Sequence, residues 1–118
     1  MRRTRIGLAL LLSFASFPVM AAGWTVAAVP TQIDIERSGG FMVYGAFGNP
    51  GGCAIGDQFY VKSDHTQYKE IYAAALAAFT AGYKLRAYIH SCEAVTWYTV
   101  APNAYNIVHL YTAVTILK

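Results

Sequence analysis

Only one segment of the chain has the pattern of an α-helix, and this limits the folds that the sequence allows. Residues 64–82 carry apolar side chains at helical spacing, whereas the other regular segments alternate as β-strands do. Asp64 is expected to cap the first turn, with Gln67 at the spacing of a capping box. Gly82 is expected to end the helix in the left-handed conformation. The sequence therefore predicts a mainly β domain with one helix.

The predicted helix has two different faces. Its core face is expected to consist of Tyr68, Ile71, Tyr72, Ala75, Leu76 and Phe79. The opposite face has no charge after Glu70 and is rich in alanine. Its candidates for an oligomer interface are Ala73, Ala74, Ala77 and Ala81. Two interpretations remain open, because alanine favours a helix by itself and a second molecule that covers this face would also require small residues.

Strand-like segments lie on both sides of the helix. Residues 31–37 and 41–47 flank a Ser-Gly-Gly turn and predict a β-hairpin, and residues 58–62 predict a third strand that leads into the helix. Residues 84–90 and 107–117 predict two more strands. A helix between the third and fourth of five strands is the element order of the OB-fold, a small, partly open Greek-key barrel.

The strand predicted at residues 84–90 alternates clearly between apolar and polar side chains. The residues expected on its apolar face are Leu85, Ala87 and Ile89. The residues expected on the opposite face are Arg86, Tyr88 and His90. One face of this strand should therefore be buried and the other exposed.

The start of the chain has the features of a secretory signal. Residues 1–22 contain three arginines within residues 2–5, then an apolar run that is too short to span a bilayer comfortably, then small residues that fit cleavage after Ala21 or Ala22. The predicted organisation is a signal peptide followed by one domain over residues 23–118. The expected location is secreted or periplasmic, with no membrane span.

Removal of the signal changes the charge of the protein. Three of the nine basic residues lie in the signal, so the remaining basic residues equal the six acidic ones in number. The predicted mature domain is formally neutral. Nucleic acid is therefore a poor candidate partner, because no basic field remains to attract it.

Cys53 and Cys92 are the two cysteines, and they lie 39 residues apart. In an exported chain a disulfide between them is the default expectation. A metal pair lacks further cysteines or a nearby histidine cluster. A small domain gains stability from such a cross-link, because a single core of this size is marginal.

Catalysis has little support in the sequence. The three histidines are not part of a recognisable motif, and no nucleophile elbow, zinc-protease motif or supported carboxylate pair is present. Both cysteines are expected to be oxidised, which leaves no thiol nucleophile. The chain is therefore predicted not to be an enzyme, and it has no motif for a metal or a cofactor.

Binding has more support, because the chain contains two tryptophans and nine tyrosines. Aromatic rings stack on the C–H faces of sugars, and amides and hydroxyls bond to sugar hydroxyls. The candidate glycan-binding residues are Trp97, Tyr98, Asn103 and Tyr105, with the amide of Asn106 beside them. The alternative is that these aromatic side chains fill the core or a contact between subunits.

Several stretches resemble the B subunits of subtilase cytotoxin and typhoid toxin. They are residues 68–72 (YKEIY), 78–82 (AFTAG), 84–88 (KLRAY) and 95–98 (VTWY), together with Trp24-Thr25 after the signal. The resemblance implies an OB-fold, assembly as a ring pentamer with the helices around the central pore, and binding of sialylated glycans on host cells. The polar sugar-binding residues of the family have no counterparts at residues 26–30, and Cys92 has no counterpart in the family.

The resemblance leads to a functional hypothesis. The protein is expected to be a secreted, carbohydrate-binding B subunit that acts as a homopentamer with a toxin A subunit as partner and a sialylated or other glycan as ligand. The alternative is a stand-alone exported OB-fold protein that binds a protein partner, as an inhibitor or an envelope factor does.

Overall fold

The computed structural model describes residues 22–37, 39–95 and 104–118. These residues form a mainly β structure with one helix, as the sequence predicts. The elements are β1 (Gly23–Trp24), β2 (Gln32–Ile35), β3 (Phe41–Tyr44), β4 (Ile55–Val61), α1 (Tyr68–Ala81), β5 (Lys84–Ile89), β6 (Ser91–Glu93), β7 (Tyr105–Val108) and β8 (Val114–Leu117). One sheet has the order β2-β3-β4-β7-β6, and the other has the order β1-β5-β8.

Three segments of the chain contribute strands to both sheets. The first supplies β1 to the three-stranded sheet and β2 to the five-stranded sheet, and the second supplies β5 and β6 in the same order. The third supplies β7 to the five-stranded sheet and β8 to the three-stranded sheet. All strand pairs are antiparallel except β4 with β7, which is parallel. The described residues thus form two sheets that share chain segments, and they do not form a closed barrel.

The described residues form eight strands, whereas the sequence predicts five, because one predicted strand is divided and two strands, β1 and β6, were not predicted. A turn separates β7 from β8 within the strand predicted at residues 107–117, and the Thr112 N–H donates to His109 O at 2.9 Å in that turn. Strand β1 pairs with β5, which depends on contacts distant in sequence. Local periodicity does not report such long-range pairing.

The predicted hairpin between β2 and β3 is confirmed. Ile33 pairs with Val43 and Ile35 with Phe41. Gly40 has a φ of 96°, in the left-handed region that favours glycine, and a Cβ at this position would collide with the hydroxyl of Tyr60. The turn therefore requires glycine for both its conformation and its packing.

The helix begins later than predicted, at Tyr68. Asp64 does not cap it, because the preceding residues form turns, in which the His65 N–H donates to Lys62 O at 3.1 Å and the Tyr68 N–H to His65 O at 3.1 Å. The end of the helix is as predicted. Gly82 has a φ of 73°, and its N–H donates to Ala78 O at 2.9 Å.

The buried face of α1 is rotated toward the alanines relative to the prediction. Ile71, Ala75 and Ala78 are buried, as the core of a helix–sheet contact requires. Leu76 and Phe79, which were predicted to lie in the core, are 45% and 46% exposed. Small side chains let the helix lie close to the sheet, so Leu76 and Phe79 remain at the edge of the contact.

Candidate functional site

The predicted disulfide is confirmed. Cys53 and Cys92 are bonded, with their Cα atoms 5.5 Å apart. The bond joins the loop before β4 to strand β6. Asn49 fixes the same loop, because its Nδ2 donates to Cys53 O at 2.7 Å and its Oδ1 accepts from the Cys53 N–H at 2.9 Å.

The candidate sugar-binding residues that the structure describes lie in the interior. Tyr105 is 5% exposed and belongs to a buried cluster with Met42, Tyr60, Val95 and Ile107. Burial raises the pKa of the Tyr105 phenol. Trp97, Tyr98 and Asn103 lie outside the described residues, so their predicted role stays a prediction.

The amide of Asn106 serves the structure rather than an open surface. Asn106 is fully buried in β7. Its Oδ1 accepts from the Gly51 N–H at 3.0 Å, and its Nδ2 donates to Asn49 Oδ1 at 3.0 Å. A buried amide with these bonds has little capacity left for a ligand, which corrects its assignment to sugar binding.

The alanines predicted as an oligomer interface are mostly accessible. Ala73, Ala77 and Ala81 are exposed, whereas Ala74 is half-buried against the core. With Leu76 and Phe79 they form an uncharged surface along α1. This surface is named the helix face below.

The outer face of the three-stranded sheet carries an exposed group of aromatic and cationic side chains. The predicted alternation of β5 is confirmed, because Leu85, Ala87 and Ile89 are fully buried. The alternate positions Arg86 and Tyr88 are half-buried on the opposite face, and His90 follows the strand and is exposed. On this face, Trp24 of β1 pairs directly with Tyr88. Trp24, Arg86, Tyr88 and His90 are named the outer aromatic cluster.

The four side chains of the outer aromatic cluster contact one another. The Trp24 and Tyr88 ring centroids are 5.4 Å apart with nearly perpendicular planes. The guanidinium carbon of Arg86 lies 4.5 Å from the centroid of Trp24, a cation–π contact. The rings of Tyr88 and His90 are 4.8 Å apart. Trp24 is 41% exposed, so the cluster forms a surface and not a core.

Arg86 gives this surface a positive charge. Among the described residues Arg86 has no acidic partner, and its Nε is shielded from water without a hydrogen-bond acceptor there. Glu93, by contrast, is paired with Lys62. An unneutralised guanidinium beside aromatic rings can bind a polar or anionic group of a ligand, while the rings contact an apolar surface of the same ligand.

The sequence contains part of the signal for this cluster. Alternation places Arg86, Tyr88 and His90 on one face, which the sequence analysis recognised. Trp24 could be added only through the pairing of β1 with β5, because these strands are far apart in the chain. The one indication of Trp24 in the sequence was its position shortly after the predicted cleavage site.

A concave region lies at the start of α1. Its volume is about 370 Å³, and its lining consists of Ser63, His65, Thr66, Tyr68, Lys69 and Glu70. Both ring nitrogens of His65 have structural partners. Nδ1 accepts from the Gln67 N–H at 3.0 Å, so Nε2 carries the proton and donates to Thr112 O at 3.1 Å.

The described ranges contain neither a cluster of metal ligands nor a helix suited to a membrane. No three histidine, cysteine, aspartate or glutamate side chains come together there as metal ligands would. No helix in that part of the chain has both the length and the apolar character that crossing a membrane requires.

Comparison of the chain with known protein families, curated proteins and solved structures gives no match. The function must therefore be argued from the geometry of the surfaces themselves.

Proposed function

We propose that this protein is an exported carbohydrate-binding protein whose ligand binds on the outer aromatic cluster. The observation that carries the proposal is the exposed contact of Trp24 with Tyr88 and Arg86. Sugars present C–H faces to aromatic rings and hydroxyls to polar groups, and the cluster offers both kinds of partner within one surface. The cleaved signal over residues 1–22 and the secreted or periplasmic location belong to this proposal.

The proposal extends to an OB-fold B subunit of an AB-type toxin, with a toxin A subunit as partner. Three features support it. Strand β4 is parallel to β7, one helix lies between β4 and β5, and three chain segments pass from one sheet to the other. Strands that pass between sheets form the corners of barrel-like sandwiches, and OB-folds bind oligosaccharides on their open surfaces.

We propose further that the protein acts as a homopentamer. A shallow sugar site removes little apolar surface from water, so a single site binds weakly. Several sites in one ring raise the affinity for a dense glycan surface by about 10² or more. The helix face supports assembly, because Leu76 and Phe79 expose large side chains beside uncharged alanines.

The sugar-binding proposal is tested with the purified mature protein on a printed glycan array. Trp24→Ala should abolish binding, whereas Trp24→Phe should retain part of it because a ring remains for stacking. Ile35→Ala is the matched control, since Ile35 is 69% exposed on the other sheet. All variants should keep the parent melting temperature to within a few degrees, as surface substitutions usually do.

The array also separates the two candidate surfaces. If Trp97→Ala abolishes binding in a folded protein and Trp24→Ala does not, the ligand binds at the aromatic patch predicted from the sequence. If the parent protein binds no glycan on the array, the carbohydrate proposal is wrong.

Assembly is tested by light scattering at micromolar concentration. The parent should have the mass of a pentamer, and Ala77→Glu should give smaller species because it places a charge within the helix face. Lys69→Glu is the control, since it adds negative charge in the already charged first turns of α1. A monomeric parent protein would contradict the ring.

The second candidate function is binding of a protein partner by a stand-alone exported OB-fold protein. The exposed side chains of Leu76 and Phe79 favour it. An exposed apolar patch marks a contact with another protein as well as a contact between subunits of an oligomer. A monomer in solution that binds no glycan would favour this function over the first.

A further inference from the structure

The outer aromatic cluster continues across the three-stranded sheet to its far edge. Trp24 of β1 is opposite Tyr88 of β5, and the Tyr88 N–H donates to Ala113 O at 3.0 Å. Trp24, Tyr88 and Ala113 therefore follow one another across three neighbouring segments of the sheet. Adjacent strands are about 4.8 Å apart, so this row is about 10 Å long. Ala113 is exposed and small, which leaves the surface beside Tyr88 open.

Tyr111 lies in the turn that leads into β8, two residues before Ala113. It is 86% exposed, more than any other large apolar side chain of the described residues. Burial alternates along this part of the chain, because Thr112 is buried while Tyr111 and Ala113 are exposed. Tyr111 is two residues from Ala113, so their Cα atoms are at most about 7 Å apart. Exposed residues thus continue from Ala113, beside Tyr88, into the turn that carries Tyr111.

The turn that carries Tyr111 is held in place from two sides. Within the turn, Thr112 donates to His109 O through its N–H and through its Oγ1, both at 2.9 Å. His65, which is 5% exposed, donates from Nε2 to Thr112 O at 3.1 Å. The carbonyl oxygen of the neighbouring Ala113 accepts a hydrogen bond from the Tyr88 N–H.

This support matters for binding. A turn held in one conformation loses little freedom when a ligand binds, so an exposed ring on it contributes more affinity than a ring on a loose loop. A single exposed aromatic residue needs no explanation by itself. Tyr111 differs because its turn is held by hydrogen bonds and lies next to the strand segment that carries an existing aromatic surface.

We propose that Tyr111 is a second contact for the ligand and that the site binds a glycan of at least two sugar units. This inference rests on the proposed function. The first unit lies on Trp24 and Tyr88 beside Arg86, and the next lies over Ala113 against Tyr111. One sugar ring is too small to reach both ends of the row, so the turn determines chain length and linkage rather than the identity of the terminal sugar.

The test compares the parent, Tyr111→Ala, Tyr111→Phe and Trp24→Ala on an array that carries terminal monosaccharides and the oligosaccharides that contain them. The parent should bind oligosaccharides more tightly than their terminal monosaccharides. Tyr111→Ala should lower oligosaccharide binding by about two- to tenfold, the range of one aromatic contact. It should leave monosaccharide binding unchanged, and Tyr111→Phe should keep most of the oligosaccharide affinity. Because Tyr111 is exposed, its variants should keep the parent melting temperature.

The outcomes separate this inference from the proposed function. If the parent binds oligosaccharides, Trp24→Ala abolishes binding and Tyr111→Ala binds like the parent, Tyr111 makes no contact and the inference is wrong while the proposed function holds. An equal loss for monosaccharides and oligosaccharides in Tyr111→Ala also overturns it, because the turn would then act on the first subsite. Absence of binding by the parent overturns both.

Discussion

Strands β5 and β7 contain similar residues but present them to different surroundings. In β5, Tyr88 lies beside Arg86 on an open face, whereas in β7, Tyr105 lies beside Asn106 in the interior. Both strands have a neighbour on each side in their sheets. The difference is that every residue of β7 is buried, and only alternate residues of β5 are.

This contrast shows what strand patterning reports. A strand with one buried face alternates, and a strand with two buried faces does not. The sequence of β7, Tyr-Asn-Ile-Val, lacks alternation, so its tyrosine and asparagine belong to the interior. Residue type alone makes both strands candidates for ligand contacts, and patterning shows that only β5 presents such residues on an open face.

The largest difference in stability should appear when Tyr105 and Tyr88 are each replaced by alanine in separate variants. Tyr105→Ala removes a buried ring and should lower the free energy of unfolding by about 3–5 kcal/mol. Tyr88→Ala should cost less than about 1 kcal/mol and should instead weaken glycan binding, since Tyr88 is half-buried on an open face. Urea denaturation and the glycan array measure the two effects. Equal destabilisation by both variants would remove the contrast between the strands.

Removal of the disulfide should cause the next largest effect, a loss of stability that arises beside β7. Cys92 of β6 pairs in register with Asn106 of β7, so the cross-link fixes the loop before β4 beside the buried amide. The double variant Cys53→Ala, Cys92→Ala should lose about 2–4 kcal/mol of stability, because the unfolded chain is no longer constrained. The denatured, unreduced parent should contain no titratable thiol, and two thiols would contradict the bond.

The smallest effect should be a pH dependence to which the buried Tyr105 contributes. Burial raises the pKa of Tyr105 above its ordinary value of 10.0, so the folded state favours the neutral phenol. This contribution to stability is complete below pH 10.0 and is lost as the pH rises through the folded pKa. Between those values the parent should lose stability more steeply than Tyr105→Phe. If the free energy of unfolding changes with pH equally steeply in both proteins, the environment of the phenol does not change on folding.

Much of the architecture follows from local sequence. The single helix, its glycine end, the β2–β3 hairpin and the alternation of β5 are properties of short segments, and each is confirmed. The helix start and the orientation of Leu76 and Phe79 were wrong. His65 and the neighbouring turns replace Asp64 at the start, and the close approach of alanines to the sheet determines which side of α1 is buried.

The candidate site was harder to predict, since it depends on which strands pair. Trp24 joins Tyr88 only through the pairing of β1 with β5, and Tyr111 approaches them only through the turn between β7 and β8. The aromatic content pointed to binding, but it did not distinguish buried from open rings.

The sharing of chain segments between the two sheets has a consequence for the order of folding. Strand β5 receives β1 on one side and β8 on the other, so its partners come from opposite ends of the described chain. Contacts between such distant segments form slowly, because a long loop must close before they contribute stability. The surface with Trp24, Tyr88 and Tyr111 can therefore assemble only after both ends have docked. In a Trp97→Phe variant, Trp24 fluorescence should report the last step of refolding. Loss of either end to proteolysis should remove the site together with the sheet that carries it.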